Sequence, residues 1–280
     1  MSSPKTVAVI GLGMIGGSVA RGLADKGVEV VGYDTNDSYL NAAVDSGVIS
    51  RRLQSNFDDI GNAEAVVIAI YGDAAVQALE SLKQHNGRVR LITDVGSTKR
   101  TIVASAEKMG LGNCFVGSHP FAGDHRSGWH ASRSDLFENE IVYLSPTTQS
   151  TESAMEAARS LWTRLGARPM VMDAAEHDAL LAWTSHFPHV VSAALALALA
   201  ERGIHRRQLG RGGRDMARLS GGSPDLWTAI TLENASEIDT ALDAMESELA
   251  AFRLMLRRGE RDGVRERLTR ARNWHEHAEG

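Results

Sequence analysis

A histidine stands in the stretch Gly117-Ser118-His119-Pro120-Phe121-Ala122-Gly123, downstream of a glycine fingerprint, Gly11-Leu12-Gly13-Met14-Ile15-Gly16. Together the two motifs describe a redox site. The fingerprint is of the kind that binds a dinucleotide, and a rigidly placed imidazole is the base that a hydroxyl-bearing carbon needs when it gives up a hydride. Gly11 permits the tight turn, Gly13 lets the backbone approach a pyrophosphate, and Gly16 lets the following helix pack closely on the strand. Met14 and Ile15 open that helix, whose N-terminus faces the phosphates. Asp34 lies 18 residues beyond Gly16, close to the spacing of an acid that hydrogen-bonds a ribose diol. Its charge repels a 2'-phosphate, so NAD is expected in preference to NADP.

Two further groups of residues could do chemistry. Arg206, Arg207, Arg211, Arg214 and Arg218 cluster around a single acid, Asp215, and guanidinium groups grip carboxylates in bidentate fashion. A small polyanionic substrate is the expected partner, with Arg218 the arginine to defend. His177, His186 and His189 lie close in sequence, but no companion cysteines and no His-Glu-x-x-His motif accompany them. They are read as core or substrate-contacting histidines, and no metal is expected.

The elements that must position these residues follow an α/β pattern. Thr6–Ile10, Val28–Asp34, Ala65–Ile70, Arg90–Val95 and Ile141–Leu144 are short, largely apolar runs suited to a parallel strand covered on both faces. A helix is expected from the fingerprint to about Lys26, and His119 falls on the loops beyond these strands. The texture changes after Asp173: Ala174 to Arg202 is helix-forming, with Pro188 marking a kink or a new start. Ile238, Leu242, Met245, Leu249, Phe252 and Leu256 then make a heptad seam. The expected architecture is an N-terminal Rossmann-type doubly wound parallel sheet over residues 1–173, followed by an all-α domain over 174–280 that holds substrate and forms a homodimer.

Composition narrows the class. The chain has 280 residues, 43% of them hydrophobic, and a formal net charge of -5, which argues against general nucleic-acid binding. One cysteine, Cys114, suits a reducing compartment. The N-terminus lacks the features of a secretory signal, and the apolar run Val190–Ala200 is too short to span a bilayer. A cytoplasmic enzyme without a membrane partner is expected.

Five blocks carry a more specific signal: Gly11 to Ser18, Thr93-Asp94-Val95-Gly96-Ser97-Thr98-Lys99, Ser118 to Gly123, Ala182 to His189, and Gly213-Arg214-Asp215-Met216-Ala217-Arg218. In this order they closely resemble the prephenate and arogenate dehydrogenases of tyrosine biosynthesis. The resemblance implies a dinucleotide-binding domain, a helical dimerisation domain and an active site in the cleft between them. It also implies oxidative decarboxylation: a cyclohexadienol loses hydride to NAD, carbon dioxide leaves and the ring becomes aromatic. On the matching positions, His119 is the catalytic histidine and Ser97 the serine that orients it. Arg218 binds a substrate carboxylate, Trp227 lines the pocket and His186 stands near the substrate. Arg214 shares the Arg218 block, in packing or in an ion pair with Asp215.

The chain departs from the family pattern after Ala122. Gly123-Asp124-His125-Arg126 stands where many members carry Gly-Thr-Glu. Asp124 favours the ammonium of arogenate and His125 the keto acid of prephenate, so this pair leaves the side-chain preference open. Two other readings accompany the leading one: a dehydrogenase of a 4-amino-4-deoxyprephenate analogue, and a non-catalytic NAD-responsive binding protein.

Overall fold

The computed structural model describes residues 4–123 and 126–277, and the chain divides into two compact units, Met1–Asn234 and Ala235–Gly280. In the first unit, β1 (Thr6–Ile10), β2 (Glu29–Tyr33), β3 (Arg51–Arg52), β4 (Ala65–Ile68) and β5 (Leu91–Asp94) form a parallel sheet in the order β3-β2-β1-β4-β5. Its helices are α1 (Met14–Ala24), α2 (Asp37–Asp45), α3 (Asp73–Leu82), α4 (Arg100–Lys108) and α5 (Glu152–Arg164). Strand alternation sorts the core into two layers. Val7, Val9, Val30 and Val67 pack with Val19 and Leu23 of α1 and Ala158 and Trp162 of α5. Ala8, Ile10, Val66 and Ile68 pack with Leu79 of α3 and Ile102 of α4 on the other face. Both faces are covered, which explains the nearly unbroken apolar strands.

A second sheet joins β6 (Val116–Pro120), β7 (Ile141–Pro146) and β8 (Arg168–Val171) in that order. β6 and β7 are antiparallel, with His119 opposite Tyr143 and Pro120 opposite Val142, and β8 runs parallel to β7. A parallel bridge between Ile92 and Phe115 links this sheet to β5. β6 therefore runs in the direction of β5, and its C-terminal end lies at the sheet edge where the β1, β2, β4 and β5 loops emerge. His119 is thus on a strand, not on a loop as its glycine and proline neighbours suggest. The ladder to β7 outweighs local propensity here, and Pro120 is tolerated because β6 is an edge strand of this sheet.

The Asp173 carboxylate caps α6 (Ala174–Leu181) by accepting from the Ala175 and Glu176 amides. A π-helical turn, Ala182–His186, connects α6 to α7 (Phe187–Glu201), with Pro188 in the first turn of α7. By length and composition this 28-residue helical run, Ala174–Glu201, could cross a membrane, and 28% of its most apolar stretch is buried. The continuous run is longer than the apolar segment evident in the sequence. α8 (Arg211–Met216) and α9 (Pro224–Glu233) complete the unit.

The second unit is a hairpin of α10 (Ala235–Arg258) and α11 (Arg261–His277). Gly259 turns the chain between them at φ +67°, a conformation open to glycine at little cost. On the α10 seam Ile238 is buried, whereas Leu249 and Leu256 are 54% and 70% exposed. The hairpin is also bridged by an ion pair between Arg267 and Glu248.

Candidate active site

The glycine loop leaves β1 at Gly11, whose φ of +94° and near contact with the Ala69 carbonyl admit no side chain. A Cβ at Gly16 would stand 1.9 Å from the Gly11 carbonyl oxygen, whereas one at Gly13 would meet nothing within 4 Å. Gly11 and Gly16 are therefore required by packing. Gly13 leaves open space beside the N-terminus of α1, where Met14 and Ile15 form the first turn and no acid is present. That is the cradle a pyrophosphate needs, and the residues fit a dinucleotide. Asp34 closes it: its Oδ2 accepts from the Leu12 amide at 2.6 Å and its Oδ1 from the Asn36 amide at 2.7 Å. The acid at the end of β2 thereby holds the glycine loop.

His119 is 7% exposed. Its Nδ1 lies 2.9 Å from Nε2 of His177, and Nδ1 of His177 lies 2.8 Å from Oδ1 of Asp178. Asp178 also accepts from the Lys99 amide at 2.7 Å and the Arg100 amide at 2.9 Å, so α6 holds the N-terminus of α4. Tyr143 stacks edge-on against His177, with ring centroids 5.5 Å apart. Beneath this line, Nζ of the fully buried Lys99 pairs with Asp94 and donates to the Ser118 carbonyl at 2.9 Å. Asp94 in turn accepts from the Ser118 and Gly96 amides. The Ser118 hydroxyl is fixed by Thr93 at 2.7 Å and Trp162 at 2.9 Å. The residues flanking His119 are therefore tied to β5 and α5.

Electrostatics favour the neutral imidazole. Burial, followed by the potentials of His177, Lys99 and His186, holds the His119 pKa well below its ordinary 6.5. Burial likewise lowers His177, partly offset by Asp178. Burial opposes ionisation of Asp178, yet hydrogen bonds from His177 and the two α4 amides bring its pKa below the usual carboxylate value. Burial takes His186 down to about 4, and burial with the nearby Arg218 charge takes His189 to about 4.

The other expected site residues fall around this line. Ser97 is half-buried in the loop after β5. Among the described residues, the Nδ1 partner of His119 is His177 rather than Ser97. His186 is buried: Asn234 Nδ2 donates to its Nδ1 at 3.0 Å and to the Asp178 carbonyl at 2.8 Å, and the Ser97 backbone also lies beside the ring. Thr98 ties the same loop to Glu233 of α9. Trp227 stacks on His189, ring centroids 3.3 Å apart, and meets His186 edge-on at 6.3 Å. Arg218 is exposed in the turn before α9, near His189. Arg214, which is exposed, donates to the Leu209 carbonyl at 2.5 Å, while Asp215 faces Arg211 at 4.0 Å. A cavity of about 440 Å³ bordered by His189, Ala193, Leu219, Trp227 and Leu232 lies on the α7 side of Trp227, and His119 does not line it. Asp124 and His125 fall outside the described residues.

In the sequence His177 reads as one of several core or substrate-contacting histidines, and no motif marks Asp178 or Asn234. The available signal was the adjacent pair His177-Asp178 on a helix. Its partner, however, lies 58 residues away in sequence.

Two family models match this chain in succession. The family model described as the prephenate dehydrogenase nucleotide-binding domain matches residues 19–171, and the one described as the prephenate dehydrogenase dimerization domain matches residues 173–270. A prephenate dehydrogenase of Bacillus subtilis (strain 168) is 34% identical over 257 residues, covering 89% of this chain and 69% of that protein. The crystal structure of a prephenate dehydrogenase from A. aeolicus, in complex with hydroxyphenyl propionate and NAD+, superimposes with a TM-score of 0.87 at 27% identity over 99% of both chains. The crystal structure of Synechocystis arogenate dehydrogenase gives 0.82 at 26% identity, covering 98% of this chain and 99% of that one. With both domain models matched in order across a fold whose glycine cradle and buried histidine are in place, the chain belongs to the prephenate dehydrogenase family.

Proposed function

We propose that this protein is an NAD-dependent dehydrogenase that oxidatively decarboxylates prephenate, arogenate or both, acting as a cytoplasmic homodimer through its helical domain, residues 174–280. The observation that carries the reading is His119: a buried imidazole kept neutral at the sheet edge where the glycine cradle also opens. NAD, when bound, supplies the acceptor for the hydride leaving the hydroxyl-bearing carbon. His119 takes the hydroxyl proton as carbonyl character develops at that carbon. The electron pair released with carbon dioxide then aromatises the ring, and the oxygen recovers its proton from His119. Arg218 binds a substrate carboxylate, and Trp227 with His189 forms the wall beside it. His186 acts on the Ser97 loop from behind, braced by Asn234. Asp34 selects NAD by its charge. The dimerization-domain match and the exposed apolar length of α7 support a second copy as the partner of the helical domain.

The test is a spectrophotometric panel of prephenate, arogenate and aminodeoxyprephenate with NAD and NADP, with carbon dioxide followed in parallel. NADH and carbon dioxide in equal amounts from prephenate or arogenate are expected. No NADH from either would overturn the proposal, and tighter binding of NADP than of NAD would overturn the role of Asp34.

A further inference from the structure

We propose that Asp178 and His177 are positioning residues that fix His119 in the tautomer whose Nε2 is unprotonated and free to take the substrate proton. The inference rests on the reading of His119 as proton acceptor and deepens it. It follows from counting protons along one line of hydrogen bonds. Asp178 accepts from the Lys99 and Arg100 amides, one on each oxygen, and a carboxylate at a helix N-terminus is stabilised in its ionised form. An ionised carboxylate only accepts, so His177 must present a proton on Nδ1 across the 2.8 Å contact. A neutral His177 then has a lone pair on Nε2. The 2.9 Å contact from that atom to Nδ1 of His119 is a hydrogen bond only if His119 carries its proton on Nδ1. Neutral His119 is left with a lone pair on Nε2. With the proton on Nε2 of His119 instead, lone pairs would face each other at one of the two contacts, or Asp178 would hold a proton.

The charged and titratable groups around His119 agree with this direction. Lys99 lies below β6, His186 stands on the π-turn, His177 and Asp178 lie on α6, and Tyr143 faces it from β7. Among them only Asp178 offers a charge that orders the two imidazoles, since Asp94 is taken by Lys99.

The first test is made on the wild-type chain labelled with 15N-histidine, because two-bond couplings report the tautomer of each ring without any substrate. The Nδ1–H form of His119 is expected at neutral pH; the Nε2–H form would overturn the proposal even if the enzyme turns over. Conversely, the Nδ1–H form in a protein that oxidises no cyclohexadienol leaves the relay intact and removes only the catalytic reading. For the active enzyme, His177→Leu removes the acceptor for His119, whereas His177→Gln can return an amide oxygen near the position of Nε2. The Leu variant is expected to lose about 10²-fold or more in kcat, with KM for substrate and NAD little changed, and the Gln variant to recover part of it. Asp178→Asn, which offers an amide N–H to the line, is expected to fall as far as the Leu variant. Adding His177→Leu to His119→Ala should cost little more than His119→Ala alone, because both remove one function. Full additivity, or wild-type kcat in the Leu variant, would refute the relay.

Discussion

Lys99→Met tests how the site is held from beneath. The ammonium of Lys99 is fully buried, paired with an Asp94 side chain that is itself 3% exposed, and donates to the Ser118 carbonyl. Methionine keeps the length of the stem, so packing against Gly117 persists; a Cβ at that glycine would already stand 3.2 Å from the Lys99 Cδ. What is lost is the countercharge. Asp94 retains its bonds from the Gly96 and Ser118 amides at 2.8 and 3.2 Å, but its negative charge is left buried without a cation. Breaking a buried ion pair in this way costs about 3–5 kcal/mol. For a protein of this size about 2–4 °C of melting temperature is lost per kcal/mol, so a fall of roughly 6–20 °C is expected.

The same substitution removes a positive potential that lowers the pKa of both His119 and His177. Both pKa values should rise, and the acidic limb of kcat/KM should move to higher pH. Asp94→Asn combined with Lys99→Met should cost less than the sum of the two single changes, because the second removes the charge that the first strands. Denaturant melts of the four proteins and pH profiles of the active ones provide the measurements. A single variant within about 1 kcal/mol of wild type, or additive single changes, would show that the pair is not the electrostatic unit the buried geometry implies.

Three further outcomes are expected. Gly16→Ala should destabilise the protein, since its Cβ meets the Gly11 carbonyl oxygen at 1.9 Å; Gly13→Ala should fold normally yet bind NAD at least about tenfold more weakly, since its Cβ enters the cofactor's space. Fluorescence titration of NAD into both variants separates the two roles, and wild-type affinity in Gly13→Ala would refute the cradle. Arg218→Ala should raise KM for substrate by about 10²-fold with a smaller effect on kcat, whereas an unchanged KM would exclude a carboxylate contact. Stability should fall with acidification from about pH 6.5 towards 4, because the unfolded chain takes up protons in that window while His186 and His189, held at about 4, do not. For His186, which is 1% exposed, the difference is about 3 kcal/mol across the window, and His186→Gln should flatten the slope in denaturant melts at pH 5 and 7.5.

The fold was readable wherever one local rule decided it. The β1, β2, β4 and β5 runs are apolar because helices cover both faces, and the glycine spacing reports a packing constraint that the Gly16 contact makes explicit. β6 was not readable as a strand: Val116-Gly117-Ser118-His119-Pro120 has neither an apolar run nor alternation, and its extended form depends on pairing with β7. The identity of His119 as the central histidine came from its motif. Its orientation could not, because Ser97, the partner implied by family resemblance, is nearer in sequence than His177, which the fold delivers.

His177 and Asp178 were equally beyond a local reading, and the reason bears on how the site works. Asp178 serves two structures at once. Its two oxygens receive the first amides of α4, a folding interaction between α6 and the loop that follows β5, and the same oxygen that meets the Lys99 amide meets His177. The helix N-terminus favours the ionised carboxylate, and only the ionised carboxylate requires the proton on Nδ1 of His177. That requirement passes through the second ring to His119. Docking α6 onto α4 therefore does more than bury apolar surface: it selects which nitrogen of a histidine three groups away is able to accept a proton. A mutation at the α4–α6 contact that left every substrate-touching residue in place would still be felt in kcat.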